Sequence, residues 1–406
     1  MKNRWLIALS AIGIHICIGS VYAWSVLTKP IMQAMGFTLK ETTWTFSIAI
    51  LFLGLSAGFL GDYVEKYGPR KSGLTSTCFF GLGMFGTALA LHLNSLPLLY
   101  LFYGVIGGIG LGTGYITPVS TLVKWFPNNR GFATGLAIMG FGFASLIAGP
   151  LMQILVAKYG LVQNFIILGC VYMVIMAASA LYLEPPKASN GGPSGINVKS
   201  ILPDTQFTAK EARKTWQFYA LWWIFFTNIT CGIGLLAVAS PMAQEVVKMT
   251  PMAAASMVGI IGLINGLGRI FWSTISDYLG RSTVYVVFFL IQIFAFYALA
   301  ETSSAFIFQL IVFVIISCYG GFSCMPAFLS DLFGTKELSA IHGKILTAWG
   351  MAGIAGPLLL SWIRETTNSY SITLYFFSAC FVVSLIIAGI LKWRTSVGVL
   401  IEKKHL

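Results

Sequence analysis

Twelve apolar stretches, most about twenty residues long, follow one another along this 406-residue chain and leave little room for anything else. They are Trp5–Leu27, Trp44–Leu60, Gly73–His92, Pro97–Val123, Gly131–Val156, Leu161–Leu183, Phe218–Met242, Pro251–Ile275, Thr283–Ala300, Ala305–Leu329, Ile341–Trp362 and Ile372–Leu391. A helix needs about 20 apolar residues to cross a bilayer. In hydrocarbon every backbone donor and acceptor has to be satisfied within the protein, so runs of this length are expected to be helices. Only 9% of the residues are charged and 57% are hydrophobic, a balance that excludes a soluble domain. The expected fold class is an all-α polytopic membrane protein with twelve transmembrane helices. No small-residue cleavage site follows the first run, which is therefore expected to be a retained helix and not a signal peptide.

Charge sets the orientation. Of the 25 Lys and Arg, Arg269 lies inside a span and five (Lys29, Lys40, Lys158, Lys248, Arg364) fall on one set of loops. The other 19 fall on the opposite loops, the tails and the adjoining span ends. The positive-inside rule makes that side cytoplasmic, with both termini, in the cell's inner (plasma) membrane. Topology and lipid contact then account for the formal net charge of +12, and nucleic acid is not an expected partner. The cysteines Cys17, Cys78, Cys170, Cys231, Cys318, Cys324 and Cys380 all fall in spans without zinc-type spacing. They read as small packing residues, and no metal or other cofactor is expected.

The longest polar stretch, Glu184–Lys214, contains PPKASNGGPSG and reads as a flexible cytoplasmic linker. Its second half, FTAKEARKT, is expected to form a short helix on the membrane surface. The linker divides the chain into residues 1–183, 184–214 and 215–406. The outer two segments carry matching marks. The loop GDYVEKYGPRK, with Glu65, Gly68 and Arg70, corresponds to SDYLGRS, with Asp277 and Gly280. Glu65 and Asp277 are 212 residues apart, and each stands three residues before its glycine. Phe126 and Phe333 match at a shift of 207, as do Gly149-Pro150 and Gly356-Pro357. Two pseudo-symmetric six-helix halves are expected to face each other across a cavity, with substrate near the midplane.

Arg269 is the one full charge expected deep in the bilayer. It sits in MVGIIGLINGLGRIFWSTIS, and burying it costs at least ~2.5–3.5 kcal/mol on insertion scales. Two readings stand: an arginine that meets an anion, or a structural one that bonds carbonyls or snorkels. Its position far from either interface favours the first. Tyr22 and Trp24 interrupt span 1, Tyr115 lies in span 4, Tyr319 in span 10 and Trp349 in span 11. A buried phenol needs a hydrogen-bond partner, which either a carboxylate or the helix bundle supplies. His15 is read as the only histidine well inside a span, either hydrogen-bonded in the bundle or a carrier of a coupled proton. The run GVIGGIGLGTGY (Gly104–Tyr115) follows no strand, so it reads as helix-packing glycines and not as a dinucleotide loop. Gly140, Gly142, Gly149, Gly350, Gly353 and Gly356 read the same way, serving either sliding or fixed contacts. Pro150 and Pro357 are expected to bend spans 5 and 11.

The loop GDYVEKYGPRK resembles the loop signature of the major facilitator superfamily, although Lys66 stands where arginine is usual and Pro69 replaces a basic residue. GSVYAWSVL (Gly19–Leu27), KWFPNNRG (Lys124–Gly131), the Arg269 segment and GKILTAWGMAGIAGP (Gly343–Pro357) are similar to the oxalate/formate antiporter family and its monocarboxylate-transporter relatives. The likeness covers nearly the whole chain. It implies a gate motif at Glu65, Gly68, Arg70, Asp277 and Gly280, and a small anion pocket. There Tyr22, Tyr115 and Tyr319 would bond a carboxylate beside Arg269, while Trp349 and Trp24 shape the box. Asn265 stands where proton-coupled relatives carry an aspartate, and Trp349 where the oxalate exchanger carries a second cation. Lys344 lies five residues earlier, near the cytoplasmic end.

These features imply a secondary transporter of small organic anions that works by alternating access. One central cation suits a monocarboxylate of the lactate, pyruvate or formate class better than a dianion such as oxalate. Exchange and proton symport both stay open. An integral-membrane enzyme would need clustered nucleophiles, acids or metal ligands at membrane depth, and the sequence offers none. A membrane sensor built on a transporter fold is the reading from a different class. The chain is expected to work as a monomer, with a small carboxylate and the bilayer as its partners.

Overall fold

Helices begin where short polar side chains cap them. Asn3 accepts the Trp5 amide at the start of span 1, and Thr215 and Thr250 cap spans 7 and 8 in the same way. Thr38 and Glu41 form a reciprocal capping box at the start of span 2. The computed structural model describes residues 2–186 and 206–396. Among these residues every regular element is a helix. Span 1 runs over Arg4–Gly19, tightens to a 3-10 turn at Ser20–Ala23 and continues as Trp24–Met35. Spans 2 and 3 form one stretch, Leu39–His92, broken at Gly68, whose φ of 77° lies in the left-handed region that favours glycine.

Span 4 covers residues 96–125 and includes a π-helical segment, Tyr100–Gly107. Spans 5 and 6 are Arg130–Tyr159 and Leu161–Tyr182. Spans 7, 8 and 9 are Trp216–Val246, Pro251–Leu279 and Arg281–Glu301. Span 10 runs over Ala305–Gly320, a 3-10 turn at Gly321–Cys324, and Met325–Phe333. Spans 11 and 12 are Leu338–Thr367 and Ser371–Ser396. Among the described residues, eleven helical stretches are long and apolar enough to cross a membrane. One of them, Glu41–His92, is 52 residues long and holds two crossings, which gives the expected twelve. Large apolar side chains point outward around the bundle, among them Phe59, Val174, Phe294 and Phe306. Lipid tails are the solvent that such a surface suits.

Two helix pairs join the halves, span 2 with span 11 and span 5 with span 8. Both pairs use glycine for close backbone approach. A Cβ on Gly54 would lie 2.6 Å from main-chain atoms of Leu346 and Gly350, and one on Gly142 would lie 2.9 Å from the Cα of Gly266. Pro150 and Pro357 sit inside helices that run on past them.

Most of the expected linker, residues 187–205, lies outside the described residues. Its last part forms a one-turn helix, Ala209–Ala212, with Thr208 and Glu211 as a second capping box. This turn is docked. The Phe207 amide donates to the Phe333 carbonyl at 2.9 Å, and the two rings meet edge to face at 5.7 Å. The Ala209 amide donates to Glu337 at 2.8 Å. At the other end of the chain, Lys2 donates to the Tyr182 carbonyl at 2.9 Å, which puts the first residues beside the end of span 6.

The glycine contact between spans 2 and 11 yields a direct expectation. Gly54→Val forces these backbones apart and destabilises the protein by ~1–3 kcal/mol, the usual cost of overpacking. Thermal unfolding of purified protein in detergent reads the effect. An unchanged melting temperature would contradict the close approach.

Candidate functional site

Arg269 projects from span 8 into the space between the halves and is fully buried. Its Nε donates to Asn265 Oδ1 at 3.2 Å, one turn earlier on the same helix. Its Nη1 donates across the halves to the Ile138 carbonyl of span 5 at 3.1 Å. Its Nη2 is buried without a hydrogen-bond partner. Three aromatic rings surround the guanidinium. Phe322 lies 4.9 Å from it, Phe141 5.7 Å and Tyr22 5.9 Å, centroid to Cζ. Such contacts offset part of the loss of water by a cation.

The 3-10 turns in spans 1 and 10 bring Tyr22 and Phe322 to this point. Tyr22 Oη and Tyr319 Oη lie 3.4 Å apart across the two halves. Trp349, from span 11, meets Tyr115, from span 4, edge to face at 5.0 Å. Its ring also packs on Phe141 at 5.8 Å and on Phe322 at 5.0 Å. Trp349 Nε1 is a second buried donor without a partner. The backbone here is fixed from behind: Ser323 Oγ donates to the Arg269 carbonyl at 2.7 Å and also pairs with Ser273. Span 10 approaches span 8 at Gly320, where a Cβ would lie 2.9 Å from the Arg269 amide nitrogen.

The basic end of the molecule is tied shut by polar contacts between the halves. Arg130 and Arg281 share Asp331, each at 3.0 Å. Arg281 also pairs with Asp277 at 2.6 Å. Asp277 accepts the first amides of span 5, Gly131 at 2.9 Å and Phe132 at 2.8 Å. Glu65 accepts an early amide of span 11, Ser339, at 2.6 Å, and pairs with Lys124 at 3.0 Å. Each acid thus caps a helix of the other half, where the helix dipole favours negative charge. Gly68 and Gly280, with φ of 77° and 85°, form the turns that follow them. Arg70 instead donates to the Leu181 carbonyl within its own half. At the opposite end Tyr100 donates to the Glu41 carbonyl, Arg364 to Glu245 and Tyr375 to Glu301, each inside one half.

The family model that describes the Major Facilitator Superfamily matches residues 9–357. The chain belongs to the major facilitator superfamily. This facilitator is 27% identical over 356 residues to the uncharacterized MFS-type transporter YhjX of Escherichia coli (strain K12), covering 87% of this chain and 86% of that one. It is 27% identical over 367 residues to the oxalate:formate antiporter of Oxalobacter formigenes, covering 88% and 84%. Monocarboxylate transporter 14 of Mus musculus is 23% identical over 469 residues, covering 94% and 88%. The fold matches the crystal structure of the human organic anion transporter MFSD10 with a TM-score of 0.73 at 12% identity, covering 96% and 100%.

Within the facilitator frame, Tyr22, Tyr115, Tyr319, Trp349 and Asn265 all gather with Arg269. Trp24 does not. Its indole donates to the Thr42 carbonyl at 3.2 Å and its ring packs on Tyr103 at 4.2 Å, so it joins spans 1, 2 and 4 within one half. His15 lies behind Tyr115, with ring centroids 5.3 Å apart. It is not the sole histidine inside a span. Span 11 begins at Leu338, earlier than its apolar run, and carries His342 into the interior, 1% exposed. Lys344 is held away from the site by the Gly58 carbonyl at 2.5 Å, with Asp62 at 3.8 Å. Phe141, Phe322 and the Ile138 carbonyl were not singled out by sequence, because phenylalanine is common in every span and a carbonyl leaves no residue signature. A separate groove of about 480 Å³, lined by Phe52, Leu55, Phe59, Tyr63 and Phe79, is apolar and shares no residue with the Arg269 cluster.

The Asn265–Arg269 bond makes a clear prediction. Asn265→Asp puts a fixed counter-ion on the guanidinium and competes with any incoming anion. Carboxylate-dependent thermal stabilisation of the purified variant should then require at least about tenfold more ligand, or ~1.4 kcal/mol. Unchanged ligand dependence would contradict the expectation that Arg269 meets an anion.

Proposed function

We propose that this facilitator is a secondary transporter of small organic anions, of which monocarboxylates of the lactate, pyruvate or formate class fit best. The observation that carries the reading is the pair of buried donors, Arg269 Nη2 and Trp349 Nε1, which have the neutral Tyr22 hydroxyl beside them and no hydrogen-bonded acceptor of their own, inside one aromatic box. A guanidinium cannot shed its proton, and a carboxylate supplies the charge and the acceptors it lacks. Tyr22, Tyr115 and Tyr319 add hydroxyls, and the phenylalanine walls suit a short carbon chain. The relatives named above as monocarboxylate transporter and oxalate:formate antiporter support the same class.

The mechanism is alternating access. Residues 1–183 and 215–406 act as the two rocking halves, joined by the linker at 184–214. The basic end faces the cytoplasm by the positive-inside rule, with both termini on that side of the plasma membrane. Its closure by Asp277, Asp331 and Glu65 then corresponds to a site that opens outward. Those acids, with the turns at Gly68 and Gly280, serve as the gate, and Arg70 braces it from within one half. No second subunit is needed for the transport step.

The second reading, exchange of a dicarboxylate such as oxalate, is favoured by the antiporter relative alone. Two charges on the substrate call for two cations. Lys344, the nearest candidate on span 11, is already engaged by Gly58 and Asp62.

Counterflow in proteoliposomes, with labelled carboxylates at two pH values, tests the proposal. Monocarboxylates should outcompete oxalate by about tenfold or more, ~1.4 kcal/mol in relative binding. Trp349→Lys adds the missing cation and should shift the preference toward oxalate. Oxalate winning by tenfold in the wild type would overturn the monocarboxylate reading. Absence of counterflow with every carboxylate would overturn transport of this class and leave a sensor of the same fold.

A further inference from the structure

Two histidines lie buried behind the candidate site, one in each half. His15 of span 1 is fully buried and His342 of span 11 is 1% exposed. Both rings neighbour Tyr115, at centroid distances of 5.3 and 6.1 Å, and Tyr115 in turn touches Trp349 at 5.0 Å. Each histidine has a buried ring nitrogen without a partner, Nε2 in His15 and Nδ1 in His342. His15 Nδ1 lies 3.1 Å from the Ala11 carbonyl, so that nitrogen carries the hydrogen in the neutral ring and Nε2 holds a free lone pair. Buried polar atoms are nearly always hydrogen-bonded, and two orphaned imidazole nitrogens beside one tyrosine call for a use.

We propose that His15 and His342 are the proton-binding pair of this carrier, so that one proton crosses with each carboxylate. The inference rests on the carboxylate reading of the Arg269 site and adds its coupling. The electrostatics link the two events. His15 and Arg269 pack against the same ring, Phe141, at 6.4 and 5.7 Å, and two cations sharing one buried site repel each other. A carboxylate seated on Arg269 cancels that charge, and imidazole protonation becomes easier. Proton and substrate therefore bind cooperatively, and by linkage each strengthens the other by the same factor. The proton comes from water on the side to which the site is open and forms an N–H bond on an imidazole. After the halves rock, that bond breaks and the proton passes to water on the other side. One anion and one proton have moved, with no net charge.

Few other ionisable groups face the pair. Tyr115 of span 4 touches both rings, and Arg269 of span 8 packs against the same Phe141 ring as His15. Span 5 presents Phe141 to His15, 6.4 Å away. Cys17 on the first histidine's own helix, Tyr172 on span 6 and Cys231 on span 7 are buried thiol and phenol groups. On the second histidine's helix, Lys344 is held by Gly58 and Asp62 of span 2. On span 10, Asp331 is held by Arg130 and Arg281. The acids of the gate are thus already engaged by cations, whereas the imidazoles are not.

The test uses full-length protein in proteoliposomes with labelled pyruvate and lactate. An inward proton gradient should drive accumulation by the wild type, and a trapped pH dye should report proton entry with substrate. His15→Gln, His342→Gln and the double variant keep a polar side chain but cannot carry the proton. The double variant should lose at least tenfold in gradient-driven accumulation, while counterflow at saturating carboxylate falls by clearly less, because exchange moves no net proton and the lost cooperativity shows as a weaker apparent affinity. Calorimetry of the wild type in buffers of different ionisation enthalpy gives a reading that needs no variant, with about one proton taken up per carboxylate bound. Wild-type counterflow without proton uptake would overturn the coupling and leave the carboxylate reading intact. Gradient-driven accumulation that survives in the double variant would overturn the histidine assignment. So would equal loss of counterflow and accumulation in a folded variant, because that marks a structural role.

Discussion

A guanidinium at the centre of a bilayer has to be met by acceptors, and Arg269 is met by two, Asn265 Oδ1 and the Ile138 carbonyl. Neither carries a charge. The arginine keeps its proton under all ordinary conditions, so the missing negative charge is a standing electrostatic demand. The surroundings are arranged around that demand. Gly142, Gly266 and Gly320 let spans 5, 8 and 10 close on the arginine's backbone, and Ser323 fixes its carbonyl. Aromatic faces from three spans then flank the cation. A low local dielectric strengthens any charge pair formed beside the guanidinium.

The same pseudo-symmetry that frames the pocket builds the closed end. Glu65 and Asp277 occupy equivalent loops, and each caps the first turn of the helix equivalent to the other's target, span 11 and span 5. The correspondence is of function and not of the literal string. Asp62 and Asp277 both sit in a DY pair, yet Asp62 is largely exposed and reaches only Lys344, at 3.8 Å. Asp331 has no such mate. It joins Arg130 of one half to Arg281 of the other. The charge-assisted contacts that cross the halves at this end lie beside the glycine-lined pairs, 2 with 11 and 5 with 8.

Much of this was legible in the sequence because membranes impose simple rules. Span length, the bias of Lys and Arg, the glycine turns and the repeat at shifts near 210 residues gave twelve helices in two halves. Arg269 stood out because charge is rare in a span. Tyr115, Tyr319 and Trp349 were reachable through the resemblance. What stayed hidden was side-chain direction. Trp24 is only two residues from Tyr22, but the end of the 3-10 turn sends it toward Thr42 and Tyr103. His342 was passed over because it stands second in the apolar run Ile341–Trp362, at its expected end, whereas the helix starts three residues earlier and buries it. Phe141 and Phe322 had no signal above the background of 31 phenylalanines.

The most direct measurement of the central claim is equilibrium binding of labelled pyruvate, lactate and formate to purified wild type and Arg269→Lys. Lysine keeps the charge but loses the planar fork and its paired donors. Removing one partner of a buried charged contact costs on the order of 2–5 kcal/mol. The account predicts a folded variant that has lost measurable affinity for every carboxylate the wild type binds. Wild-type affinity in Arg269→Lys would contradict it and make Arg269 a structural residue.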